Sequence, residues 1–165
     1  MNKAVFLDRD GVINRERGRY TTNADEFVVN EGIGEAVKLL KDNDFLVIVI
    51  TNQGGIAKSL YTAEDVLEMH IKFCMYLAEF DTKIDDFYFC PHHHDYGKCL
   101  CRKPGSLLFE KAIKIYDIDV ENSFMIGDSE RDIIAASKCG IKGIQIEPNE
   151  NILEICKQII GGLYG

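Results

Sequence analysis

Residues Phe45 to Ile50 form an unbroken apolar run, Phe-Leu-Val-Ile-Val-Ile, rich in β-branched side chains. A strand with one wet face alternates apolar and polar residues. This run does not alternate, so both of its faces must be covered, as in a parallel sheet with helices on either side. The remaining chain fits that frame. Shorter strand-like runs fall at Ala4–Leu7, Phe87–Phe89, Ser123–Ile126 and Gly143–Ile146. Helical stretches separate them, at about Gly34 to Asp42, Thr62 to Glu79, Pro104 to Tyr116, Asp128 to Cys139 and Asn149 to Ile160. Thr62 suits an N-cap with Asp65 in the first turn, and Pro104 suits the first turn of the third helix. Strand and helix alternating throughout predict a doubly wound, Rossmann-like α/β fold, with residues 1–165 as a single domain.

In such sheets chemistry collects beyond the carboxyl ends of the strands. Four polar clusters fall there. Asp8-Arg9-Asp10-Gly11 follows the first strand. Residues two apart on an extended backbone point to the same side, so Asp8 and Asp10 project together. Such a pair can hold Mg²⁺, and one member can attack phosphorus while the other moves a proton. Thr51-Asn52-Gln53-Gly54 follows the second strand, and its hydroxyl and turn amides suit phosphate oxygens. Arg102-Lys103-Pro104 brings an ammonium group close to the start of a helix, where anions bind. Gly127-Asp128-Ser129-Glu130-Arg131-Asp132 follows the fourth strand. Asp128 offers a further hard oxygen for Mg²⁺, and Asp132 is expected to orient loop amides or Lys103.

The formal net charge of −8 argues against a broad nucleic-acid surface. The arginines are unevenly spread. Arg9, Arg15, Arg17, Arg19 and Arg102 lie in or beside the motif loops, and only Arg131 lies elsewhere. That pattern suits a small, highly anionic phosphorylated substrate. No run is apolar enough to cross a bilayer, and the N-terminus enters a strand with no leader pattern, so a cytoplasmic protein with no membrane partner is expected. No exposed apolar stripe is evident in the sequence, and a monomer is expected.

In a cytosolic chain a disulfide framework is not expected. Cys90-Pro91-His92 and Cys99-Leu100-Cys101 instead bring three thiolates and an imidazole together, with His93 and His94 also at hand. A Cys₃His set fits tetrahedral Zn²⁺ with no open position, hence a structural site. Cys74, Cys139 and Cys156 lie in helical patterns and read as small core hydrophobes.

The order D-x-D-G, T-N-Q, R-K-P and G-D-x-x-x-D resembles the haloacid dehalogenase (HAD) superfamily of phosphohydrolases. With the Cys/His loop ahead of R-K-P, nearly the full length resembles its histidinol-phosphate and heptose-bisphosphate phosphatase branch. The resemblance implies that Asp8 is the nucleophile and forms an aspartyl-phosphate. Asp10 would protonate the leaving alcohol and then activate water. Mg²⁺ would be held by Asp8, the main-chain carbonyl of Asp10, and Asp128. Thr51 and Lys103 would bind the transferring phosphoryl group, and His92 would be the histidine ligand of zinc. The branch is capless, so a metal-stapled loop would wall the site and fix Arg102 and Lys103.

Two substrates follow from the branch, a heptose 1,7-bisphosphate cleaved at the 7-position and histidinol phosphate. The loop residues Arg15, Arg17, Arg19 and Tyr20, the turn Asn52, Gln53 and Gly54, and Arg102 are the candidate substrate contacts. Arginine forks suit a second phosphate, whereas a cationic amine prefers acidic neighbours, so the bisphosphate is expected. This chain departs from the branch pattern in two places. Arg19 stands between Gly18 and Tyr20, and Ser129 stands where relatives often carry a cation. A zinc-stabilised binding module without catalysis would leave Asp8, Asp10, Lys103 and Asp128 unexplained.

Overall fold

The computed structural model describes residues 1–164. Its five strands, β1 (Ala4–Leu7), β2 (Leu46–Asn52), β3 (Asp86–Cys90), β4 (Phe124–Gly127) and β5 (Lys142–Gln145), form one sheet in the order β3-β2-β1-β4-β5. Every pairing is parallel. Five α-helices alternate with the strands: α1 (Ile33–Asp42), α2 (Ala63–Ala78), α3 (Leu107–Tyr116), α4 (Glu130–Ser137) and α5 (Leu153–Ile160).

The strand sequences dictate two cores. Val5, Leu7, Val47 and Val49 face α1, α2 and α5, where Val37, Phe73 and Ile159 are buried. Ala4, Phe6, Ile48 and Ile50 face the other way, toward Phe109 of α3 and Ala135 of α4. This is the two-sided burial that the unbroken run from Phe45 requires. The chain builds outward from β1 to β2 and β3, then crosses to β4 on the other side of β1. The resulting crevice lies beyond the ends of β1 and β4, with Asp8 on one lip and Asp128 on the other. No inserted cap domain lies among the described residues.

Several sequence-based boundaries shift. β2 runs on to Asn52, because Thr51 and Asn52 still pair with Phe89 and Cys90. Thr62 caps α2 as expected, in a full capping box with Asp65. Pro104 does not open α3. It follows a cis peptide bond from Lys103, and the helix starts at Leu107. Nor does α4 begin at Asp128: Ser129 is its N-cap, in a capping box with Asp132. Asn149 precedes α5 in a left-handed turn (φ 68°) whose amide bonds the Gly11 carbonyl. Cys156 is buried as expected, but Cys74 is exposed and Cys139 half-buried. The sequence also hid an apolar ridge on α2, where Leu67, Ile71 and Met75 are exposed along one side. Among the described residues, no helix is long and apolar enough to cross a membrane.

Candidate active site

Asp8 directly follows β1 at the floor of a cleft of about 430 Å³. Its Oδ1 accepts from the Arg9 amide at 2.8 Å and from the Lys103 ammonium at 2.9 Å, which leaves Oδ2 to face the cleft. Lys103 is brought there by the turn before α3 and is 2 % exposed. Its ammonium also donates to the Ile50 carbonyl at 2.7 Å and pairs with Asp132 at 2.6 Å. Burial pushes the Lys103 ammonium toward its neutral form, but Asp8 and Asp132 outweigh that and hold its pKa above the ordinary value. Lys103 therefore stays charged.

Asp128 comes from the turn after β4. Ligand oxygens of Asp8, Asp128 and Asp132 lie within 4.8 Å of one another. Gly11 makes this approach feasible: it has φ +89°, and a Cβ there would sit 2.0 Å from an Asp128 oxygen. Burial pushes the Asp8 carboxyl up, Lys103 pulls it down, and Asp132 and Asp128 push it up again, with the balance at about 8. Asp128 is raised as well, first by burial and then by Asp132. Two converging carboxylates that resist joint ionisation fit a hard divalent cation between them. The Asp10 carbonyl accepts no backbone hydrogen bond among the described residues, so it is open as a third oxygen. Asp132 is spoken for by Lys103 and by the Ser129 amide at 3.1 Å.

Asp10 sits at the edge of the cleft, held from three sides. Arg9 donates to both carboxylate oxygens at 2.9 and 3.2 Å, Asn14 to Oδ1 at 2.9 Å, and Gln53 to Oδ2 at 2.9 Å. Burial opposes ionisation of Asp10, but these donors, Arg9 first, more than offset it and hold the carboxyl below the usual range.

The candidate substrate contacts divide. Asn52 and Gln53 line the cleft, whereas Thr51 is buried beside it and accepts from Gln53. Asn52 bonds the Lys103 backbone reciprocally, accepting from its N–H at 2.9 Å and donating to its carbonyl at 3.1 Å. Gln53 is 2 % exposed and donates to both Asp10 and Thr51. These two amides position the machinery, a direction that the motif alone could not give. Gly54 lies against Arg102 and His93, where a Cβ would sit 2.8 Å from the Arg102 guanidinium.

Arg19, Tyr20 and Arg102 line the cleft. Arg15 and Arg17 do not: Arg15 is exposed, and Arg17 pairs with Glu26 at 3.1 Å. Arg131, read in the sequence as lying elsewhere, lines the cleft from the first turn of α4. Nor is Arg9 a cleft residue, being buried beneath Asp10 and over the Phe27 ring. His93 and His94 also line the cleft, which sequence reasoning missed.

Beside the cleft, Cys90, His92, Cys99 and Cys101 converge. The Cys90 sulfur lies 3.8 Å from that of Cys99 and 3.1 Å from that of Cys101, and His92 Nδ1 is 3.4 and 3.2 Å from Cys90 and Cys101. Tetrahedral zinc implies ligand separations of about 3.8 Å for sulfur pairs and about 3.6 Å for sulfur and nitrogen. The set has the composition and nearly the spacing of such a site.

Converging carboxylates and a buried ammonium around one point are parts that a phosphohydrolase would use. The HAD-hydrolase-like family model matches residues 100–150. The D-glycero-β-D-manno-heptose-1,7-bisphosphate 7-phosphatase of Haemophilus ducreyi is 38% identical over 146 residues, which cover 85% of this chain and 80% of that protein. The D-glycero-D-manno-heptose-1,7-bisphosphate 7-phosphatase of Chlorobaculum tepidum is 34% identical over 94% of this chain and 84% of its own length. The crystal structure of the D,D-heptose 1,7-bisphosphate phosphatase of B. bronchiseptica, complexed with magnesium and phosphate, superposes with a TM-score of 0.86 at 27% identity, covering 97% of this chain and 99% of that one. The chain belongs to the HAD-like phosphatases, within the family of the heptose-1,7-bisphosphate 7-phosphatases.

Proposed function

We propose that this protein removes the 7-phosphate of a heptose 1,7-bisphosphate, through an aspartyl-phosphate on Asp8. The observation that carries the reading is the meeting of Asp8, Lys103 and Asp128 on the floor of a cleft whose walls bear Arg19, Arg102 and Arg131. One phosphoryl group needs only the floor. Three further guanidiniums are cations in search of a second anionic group, and histidinol phosphate would bring a cationic amine instead. The substrate named for the relatives is a bisphosphate.

Phosphoryl transfer is chiefly positioning and neutralisation of the equatorial oxygens. Lys103 and the Thr51 hydroxyl would take two of those oxygens. Asp8 Oδ2, the Asp10 carbonyl and Asp128 would hold Mg²⁺, which when bound neutralises phosphoryl charge and keeps Asp8 ionised. Asp8 would attack phosphorus while Asp10 protonates the departing alkoxide, and Asp10 would then take a proton from the water that hydrolyses the aspartyl-phosphate. In the resting site Asp10 is held ionised. A phosphoryl dianion arriving beside it favours the protonated form, as like charge does.

Cys90, His92 through Nδ1, Cys99 and Cys101 would hold a structural Zn²⁺. The reading carries with it one catalytic domain over residues 1–165 and a cytoplasmic monomer that binds no nucleic acid. The acidic balance supports the last point. The α2 ridge is narrow and bordered by Glu64, Glu68 and Lys72, which supports the monomer.

The test is phosphate release with Mg²⁺ from heptose 1,7-bisphosphate and from histidinol phosphate, wild type beside Asp8→Asn. The variant is expected to lose all measurable turnover, and wild-type kcat/KM to favour the bisphosphate. Turnover that survives in Asp8→Asn would remove the nucleophile from the reading, and a preference for histidinol phosphate would overturn the substrate.

A further inference from the structure

Asp10 must present one oxygen to the leaving group, yet the three donors already described could be satisfied by more than one carboxylate rotation. One contact decides the matter from behind. Gln53 Nε2 donates to Asp10 Oδ2 and to Thr51 Oγ1, both at 2.9 Å, while its Oε1 accepts from the Tyr61 hydroxyl at 2.7 Å. An amide can be turned over about its last bond, exchanging donor for acceptor. Turned over, Gln53 would aim a carbonyl oxygen at the Asp10 carboxylate, oxygen against oxygen. The Tyr61 hydroxyl holds the productive face by donating to Oε1. Burial pushes that hydroxyl up to about 12, so it remains a donor through the neutral range.

Local sequence builds this arrangement. Tyr61 is 6 % exposed and immediately precedes the Thr62 cap of α2, so the capping box fixes where its ring begins. The ring lies where a side chain on residue 55 would be, since a Cβ on Gly55 would sit 2.1 Å from a Tyr61 ring carbon. On its far side Tyr61 meets Tyr20 of the cleft wall, with ring centroids 6.2 Å apart.

We propose that Tyr61 is a positioning residue for Asp10, acting through Gln53. The inference rests on the reading of Asp10 as the acid for the leaving group, and the experiment separates the two. Tyr61→Phe removes one oxygen and keeps the ring. kcat/KM reports the steps up to leaving-group departure. It is measured for an alkyl phosphate, which needs a proton on its leaving oxygen, and for an aryl phosphate, which hardly does. Asp10→Asn is expected to lower the alkyl value about 100-fold or more, and the aryl value far less. Tyr61→Phe is expected to lower the alkyl value about fivefold, the worth of one hydrogen bond, and to leave the aryl value within about twofold. Gln53→Met, which removes the donor itself, is expected to cost at least as much, and the double variant no more than Gln53→Met alone. Equal losses on both substrates in Tyr61→Phe, or additive losses in the double variant, overturn the positioning role while the Asp10 reading stands. Equal losses on both substrates in Asp10→Asn overturn the Asp10 reading itself.

Discussion

Lys103 is the residue on which the floor of the cleft turns. Its ammonium donates to Asp8 and to the Ile50 carbonyl and is ion-paired with Asp132 at 2.6 Å. The fully buried Asp132 pairs with it directly and also caps α4, the helix that follows the Asp128 turn. Asp132→Ala would take one counter-ion from the buried ammonium and the acceptor from the Ser129 amide together. We expect a loss of about 3 kcal/mol in urea unfolding, typical of breaking one side of a buried pair, with kcat falling and Mg²⁺ affinity changing little. A loss below about 1 kcal/mol would mean that Lys103 finds another partner. At this scale the sequence was legible where chemistry demands a residue type: Asp8, Asp10, Asp128 and Lys103 converge as their motifs imply. It was not legible where direction matters. Nothing in Thr51-Asn52-Gln53 says that its two amides turn inward to Lys103 and Asp10, and Arg131 reaches the cleft only because β4 lies next to β1.

Among the elements, strands were easier to read than helix ends. Apolar runs register burial directly, so every strand was found to within a residue or two, whereas α3 starts three residues past Pro104 because the turn there serves Lys103 instead. That turn is tied to the Cys/His loop. Arg102 donates to the His92 carbonyl at 3.2 Å, and the loop backbone packs on Gly54. Between Cys90 and Cys101 the only regular structure is one short turn of 3-10 helix, His94–Tyr96, so on the proposed reading a loop with so little secondary structure would depend on zinc for order. Cys99→Ser is expected to lower zinc content, speed proteolytic cleavage within residues 91–101, and reduce kcat about tenfold or more, since Arg102 and Lys103 follow directly. Metal analysis, limited proteolysis and turnover on one preparation would check this. A zinc-free protein with full turnover and an intact loop would refute it.

The whole molecule carries a net charge of −8 around a cleft that mixes carboxylates with Arg19, Arg102, Lys103 and Arg131, so its response to acid depends on groups far from the mouth as well as in it. His70 is the clearest of these. It is 5 % exposed on α2, stacked on Phe87 at 4.4 Å, and burial, with the Arg9 charge behind it, lowers its pKa from 6.5 to about 3. The unfolded chain takes up a proton at His70 below pH 6.5, while the folded protein refuses it until about pH 3. The unfolded state therefore binds more protons across that window, and stability falls as pH falls, by up to about 1.4 kcal/mol per pH unit. Between pH 7.5 and 4.5 this amounts to about 2.7 kcal/mol. His70→Gln keeps a polar side chain but cannot take the proton. Urea unfolding of both proteins at intervals from pH 7.5 to 4.5 should therefore give curves that converge on acidification, the variant gaining about 2.7 kcal/mol on the wild type. Parallel curves would mean that His70 is protonated in the folded protein, and that α2 opens to admit water at a pH where the rest of the fold persists.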